Sequence, residues 1–140
     1  MMLLDTNVLS ALMQSTPDER VVQWLDQQPA DEIWLSTITI FEARYGLQIT
    51  EDGRRRQRLE SQFEMILAED LGHRVLVFDQ KAADAAATLA AGRRRHGRPV
   101  DTRDTFIAGI AIANQAAIAT GNMRHFSDLR TPVVNPWAAA

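Results

Sequence analysis

The chain has no cysteine, so it can form neither a disulfide framework nor a thiolate metal site, and nothing points to an oxidising compartment. Lysine is nearly absent: Lys81 stands alone, and every other basic residue except histidine is arginine. No run approaches the ~18 consecutive apolar residues that a membrane span needs, and the N-terminus lacks the basic-then-apolar layout of a signal peptide. Internal repeats and low-complexity linkers are missing as well. These absences favour a cytoplasmic protein with no membrane partner.

What is present is ordinary globular composition, 46% apolar and 24% charged. Its 140 residues suit one domain over 1–140 with a single sizeable core. A formal charge of −3 disfavours a protein that coats nucleic acid non-specifically. The distribution of charge says more than the sum, because many arginines bunch in GRRRQR (Arg54, Arg55, Arg56, Arg58) and GRRRHGR (Arg93, Arg94, Arg95, Arg98). Arginine is the better bidentate partner for phosphate or carboxylate. Solvated helix surfaces and helix C-termini account for such clusters equally simply.

MMLLD reads as a short buried strand, after which Thr6 or Asn7 caps a helix carrying Val8, Leu9 and Leu12. Thr16 as cap, Pro17 in the first position and Glu19 three residues after the cap predict a second helix. EIWLSTI is a second strand running into a helix around ITIFEARYGLQI, and Gly53 opens a long amphipathic helix that Gly72 closes. RVLVFD is a third strand ending on Asp79. An alanine-rich helix follows, then the loop GRPVD, the helix DTFIAGIAIANQA, a fourth strand in AIATGN and an edge strand in PVVNPW. Short apolar strands alternating with helices predict a mainly parallel sheet covered on both faces, with ligands at the carboxyl ends of its strands.

Asp5 falls at that edge, where a helix cap is its plainest role. Glu42 lies early in its helix between Ile40 and Phe41 on one side and Ala43 and Tyr45 on the other, and an acid among apolar neighbours costs free energy unless paired or bound to a cation. Asp101 and Asp104 suit the cap and third position of their helix, but the small, apolar helix behind them, with Ala108, Gly109 and Ala111, would bury deeply and aim its N-terminal carboxylate inward. Thr120 and Asn122, around Gly121, add neutral oxygens at the end of the fourth strand. Carboxylates gathered without cationic partners repel one another. A hard divalent cation such as Mg²⁺ or Mn²⁺ reverses that effect, and hydrolysis of a phosphodiester is its natural chemistry.

LLDTNVLS, STITIFEARYG, GRPVDTRDTFIAGIA and IATGNMRHF, in that order and spacing across essentially the whole chain, resemble the PIN-domain ribonucleases, specifically VapC-type toxins of bacterial toxin-antitoxin modules. The resemblance implies a three-layer α/β/α fold with a small, mainly parallel sheet of four to five strands. It implies Mg²⁺ or Mn²⁺ held by Asp5 and Asp104, with Glu42 a third acid that binds metal or positions water. It also implies endonucleolytic cleavage of RNA, often a tRNA or ribosomal RNA loop, silencing by a cognate antitoxin, and a homodimer. Asn122 stands where many relatives carry an acid, and His125 where Asp is frequent, so a single-metal site with Asn122 ordering water is expected. Thr6, Asn7, Arg93, Arg94, Arg95 and Arg98 become candidate RNA or antitoxin contacts. Asp128 reads as a cap in an exposed turn, His73, His96 and His125 as surface or loop residues, and Trp24, Trp34 and Trp137 as core or dimer-interface residues.

Two other readings fit the same residues. A phosphatase with an aspartyl nucleophile would want a second acid two residues after Asp5, where Asn7 stands. A non-catalytic PIN-fold module that binds RNA or a regulator draws support from the missing fourth acid.

Overall fold

The computed structural model describes residues 1–138. Five short strands, β1 (Met2–Leu4), β2 (Ile33–Ser36), β3 (Val75–Leu76), β4 (Ala117–Ala119) and β5 (Val133–Val134), form one sheet in the order β3-β2-β1-β4-β5. Every pairing is parallel: Met2 stands between Ile33 and Ala117, and Leu3 between Trp34 and Ile118. The helices are α1 (Thr6–Leu12), α2 (Glu19–Asp26), α3 (Thr37–Ile49), α4 (Arg54–Met65), α5 (Gln80–Arg95) and α6 (Thr102–Asn114).

Strand alternation splits the core in two. Leu4, Ile33, Leu35 and Ala119 face one side, against Val8, Leu9, Trp24, Leu47 and Phe63 from α1 to α4. Leu3 and Ile118 face the other, against Ala82, Ile107, Ala108, Ile110 and Ala111 from α5 and α6. This is the three-layer α/β/α arrangement expected from the alternating strands and helices. The helix pair α5 and α6 lies so close that a Cβ on Gly109 would come 2.6 Å from the Ala82 carbonyl oxygen and 2.7 Å from the Ala86 methyl. The small residues of the alanine-rich segment are therefore what permits that approach.

The ends of several elements differ from expectation, each for a local reason. Asp5 itself caps α1, accepting from the Thr6 amide, so neither Thr6 nor Asn7 has that role. Asp18 displaces Thr16 as the cap of α2, because its carboxylate accepts from the Arg20 amide and also pairs with the Arg20 guanidinium. The long helix after Gly53 ends at Met65 and passes into a wider π turn over Ile66–Asp70, with Gly72 beyond it at φ +52°. β3 stops at Leu76: the Phe78 amide turns to the Thr37 hydroxyl, and Asp79 caps α5 by accepting from the Ala82 amide. No helix of the described residues is long and apolar enough to cross a membrane.

Candidate active site

Three parallel strands end side by side, and the segments that follow β1, β2 and β4, together with the start of α6, supply the site. Asp5 is 2% exposed at the tip of β1. Its Oδ1 accepts from the Thr6 amide at 2.8 Å, and its Oδ2 accepts from the Thr120 hydroxyl at 2.7 Å and the Asn7 side-chain amide at 3.3 Å. Asn7 in turn accepts the Gly121 amide at 3.2 Å and donates to Thr120 at 3.3 Å, which ties the β1 and β4 turns together. Gly121 is required there, because a Cβ would come 2.9 Å from the Trp137 ring.

Glu42 reaches the same edge from the second turn of α3. Its Oε1 accepts from the Thr6 hydroxyl at 2.8 Å, and the Arg103 guanidinium stands 3.6 Å from Oε2. Thr6 also lies 3.0 Å from the Thr39 hydroxyl, so it bridges α1 to the start of α3. Asp104 sits in the first turn of α6, behind Asp101, which caps the helix by accepting from the Arg103 amide as expected. The Asp104 Oδ2 lies 2.7 Å from His125 Nδ1, without hydrogen-bond alignment.

Burial pushes the Asp5 carboxyl up to about 6. The Thr120 hydroxyl and the Thr6 amide pull it back by bonding the ionised form, and the charges of Asp104 and Glu42 raise it again. Asp5 has no cationic partner among the described residues, so this edge carries unneutralised negative charge. Divalent Mg²⁺ or Mn²⁺ suits such hard oxygen donors. The donor chemistry fits, although among the described residues no three acids or imidazoles stand close enough together to ligate an ion as they are placed. Asp104 instead meets His125, and Glu42 is bonded by Thr6.

The other candidates divide. Asn122 is exposed in the β4 turn, with its backbone amide on the Thr120 hydroxyl at 2.9 Å. Thr6 and Asn7 are committed to holding the site rather than standing free. Arg94 and Arg95 are exposed, whereas Arg93 is 4% exposed. The Arg93 guanidinium donates to both Asp128 oxygens at 2.9 Å, to Thr105 at 3.0 Å and to the His125 carbonyl at 2.7 Å. That removes Arg93 from the set of surface contacts and gives Asp128 a structural partner instead of a capping role. Arg98 bonds the Arg124 carbonyl and the Ser127 hydroxyl. Of the tryptophans, Trp24 is core, Trp137 is partly buried against the same half of the core and Trp34 against the other.

Two neighbours of the site were not anticipated. Arg103 carried a signal, as the residue beside Asp104 in the first turn of the same helix. His125 stood out only as the residue at a position where Asp is frequent, and its contact with Asp104 was hidden because a one-turn 3₁₀ helix at Met123–His125 directs it back towards α6.

A parallel sheet with an acidic edge built by Asp5, Glu42 and Asp104 defines a class, and the chain belongs to the PIN-domain family, which it matches over residues 2–131. Within that family it groups with VapC-type toxins. It is 40% identical over 139 residues to plasmid stability protein StbB of Pseudomonas syringae pv. tomato, covering 99% of this chain and 100% of that protein. It is 35% identical to VapC ribonuclease Y4jK of Sinorhizobium fredii, over 100% of both chains. The crystal structure of FitAcB from Neisseria gonorrhoeae superposes with a TM-score of 0.89 at 32% identity, covering 99% of this chain and 100% of that one.

Proposed function

We propose that this chain, as a single PIN domain over residues 1–140, is a Mg²⁺- or Mn²⁺-dependent endoribonuclease, the toxin of a cytoplasmic toxin-antitoxin pair with a cognate antitoxin protein as its partner. The observation that carries the reading is the delivery of Asp5, Glu42 and Asp104 by three different elements to one sheet edge. The kinship with a VapC ribonuclease over the full length supports RNA as the substrate.

Asp5 and Asp104 would hold the metal, with Glu42 a third ligand or a holder of water. The ion, when bound, supplies a nucleophile from water at neutral pH and charge stabilisation at the phosphodiester. The chain's own residues do the rest. Thr120 and the Thr6 amide bond the Asp5 carboxylate and fix its rotamer, and the Thr6 hydroxyl fixes the position of Glu42. Arg103 stands at the rim, half-exposed and loosely paired with both Glu42 and Asp101, placed to receive a phosphate oxygen. Asn122 supplies a neutral side chain in the same mouth that can order water without adding charge.

The test is cleavage of a mixed RNA substrate in Mn²⁺ by the wild-type chain and by Asp5→Asn. Activity that is lost in the variant by a factor of about 10² or more supports the reading, on the scale expected for removing a group that acts in the transition state. Full cleavage by Asp5→Asn, or no cleavage and no Mn²⁺-induced rise in Tm by the wild type, overturns it, the second outcome in favour of a binding module.

A further inference from the structure

Beside the acidic edge runs a groove of about 1010 Å³ between the Arg98–Val100 loop and the turn that follows β4. Asn122 and His125 form its border with the site, and Arg98, Met123, Arg124 and Asn135 line it further out. We propose that this groove binds the unpaired ribonucleotide flanking the scissile phosphate, with Arg124 and Arg98 on the backbone phosphate and Met123 under the base. The inference rests on the reading of the site as a ribonuclease centre and adds to it the path of the strand.

Four observations favour a nucleic-acid occupant here. The groove is cationic although the whole chain is net negative, and it adjoins the acids at His125, whose ring lies 2.7 Å from Asp104. Its wall is cross-braced: Arg93 holds the His125 carbonyl and Asp128 from beneath, and Arg98 bonds the Arg124 carbonyl and Ser127. Fixing the Arg124 main chain in this way leaves its guanidinium, which pairs with no acid among the described residues, free for an outside anion. Met123 is 37% exposed beside it, an apolar and polarisable surface of the kind a base can lie on.

Asn135 supplies a polar edge contact. Its Oδ1 already accepts from the Trp137 amide at 2.9 Å, so its side-chain N–H groups are the end left to meet a base. A double helix keeps the faces of its bases stacked inside and presents phosphates, 2′-hydroxyls and minor-groove edges, whereas a groove that pairs two arginines with an apolar surface and an amide suits the face of a base turned outward.

The experiment measures anisotropy of a fluorescein-labelled single-stranded oligoadenylate with the full chain in EDTA, across a salt series, against the same strand annealed to oligouridylate. The single strand is expected to bind more tightly than the duplex. Arg124→Ala is expected to weaken single-strand binding about 10-fold and to reduce the slope of log K against log salt by about 0.7, the value for one lost phosphate contact on a single strand. Met123→Ala is expected to weaken binding with the slope unchanged, and Arg55→Ala, an equal charge change on α4, to alter neither quantity. Equal losses from Arg124→Ala and Arg55→Ala, or equal affinity for duplex and single strand, overturn the proposal. Failure of the two readings is distinguishable: an Arg124 effect without any Mn²⁺-dependent cleavage sinks the nuclease reading alone, and cleavage whose KM is untouched by Arg124→Ala sinks the groove alone.

Discussion

A carboxyl group that is 2% exposed, with two acids nearby and no cation beside it, costs the fold free energy whenever it is ionised. Its folded-state value of about 6 against an ordinary 3.8 fixes the sign of the effect. Below the lower value both folded and unfolded chains carry the proton and there is no penalty. As pH rises through the interval the unfolded chain ionises first, so stability is lost progressively and stays lost above about 6. At roughly 1.4 kcal/mol per pKa unit, the loss is on the order of 3 kcal/mol. Asp5→Asn in EDTA is therefore expected to raise Tm at neutral pH and to flatten the fall in Tm across that interval, read by thermal melts in a pH series. A variant whose melting profile parallels the wild type would remove the electrostatic cost from Asp5. At this scale Asp5, Glu42 and Asp104 were legible from the sequence, because each stood at a strand end or helix start with telling neighbours. The bonds of Thr120 to Asp5 and of Thr6 to Glu42 were not, since they join residues 115 and 36 positions apart.

Elements hold the site through a buried guanidinium as much as through apolar packing. Arg93 occupies the inward face of α5 in line with Ala82, Ala86 and Leu89, a spacing of four, three and four residues that is visible in the sequence. The run RRR hid this, because one arginine at helical spacing turns inward while its two neighbours stay in water. Its Nε and Nη2 grip Asp128 and hold that carboxyl below its usual range, so the turn after β4 is fastened to α5 and α6 together. Arg93→Met keeps much of the buried stem but leaves Asp128 and the His125 carbonyl without their donors. It is expected to cost about 1–3 kcal/mol, the range for leaving hydrogen-bonding groups without their partner, since Asp128 keeps access to water. Arg94→Met, on the exposed side of the same helix, should stay within about 0.5 kcal/mol. Urea unfolding of both variants checks the contrast, and equal midpoints would deny Arg93 its structural role. Helix and strand order was legible for a related reason: apolar periodicity survives any tertiary context. The caps shifted to Asp5 and Asp18 because a charged acceptor with an additional partner outcompetes a neighbouring hydroxyl or amide.

On the scale of the whole molecule, one apolar feature lies outside both halves of the core. Phe41, Tyr45 and Ile49 are 58%, 54% and 67% exposed, and their spacing of four residues places them along one stripe of α3. The two rings stack with centroids 6.2 Å apart, so the stripe is an ordered surface. Contiguous exposed apolar surface of this kind marks an interaction site. Glu42 follows Phe41 directly in the chain, so whatever covers the stripe also borders the acidic edge and narrows the approach of a substrate. We propose that a second copy of this chain covers it, the two acidic edges then flanking one shared cleft. Light scattering after gel filtration is expected to return about twice the 15.7 kDa chain mass for the wild type. Tyr45→Glu, which sets a charge in the middle of the stripe and a repelling pair across a symmetric interface, is expected to return the mass of one chain with Tm little changed. A wild type that is monomeric at high concentration, or a Tyr45→Glu chain that still doubles, would assign the stripe to another partner. If the dimer forms, the variant separates two roles for α3: an unaltered rate per chain places the whole catalytic apparatus within one protomer, and a raised KM with unchanged kcat makes the second copy part of the RNA-binding cleft.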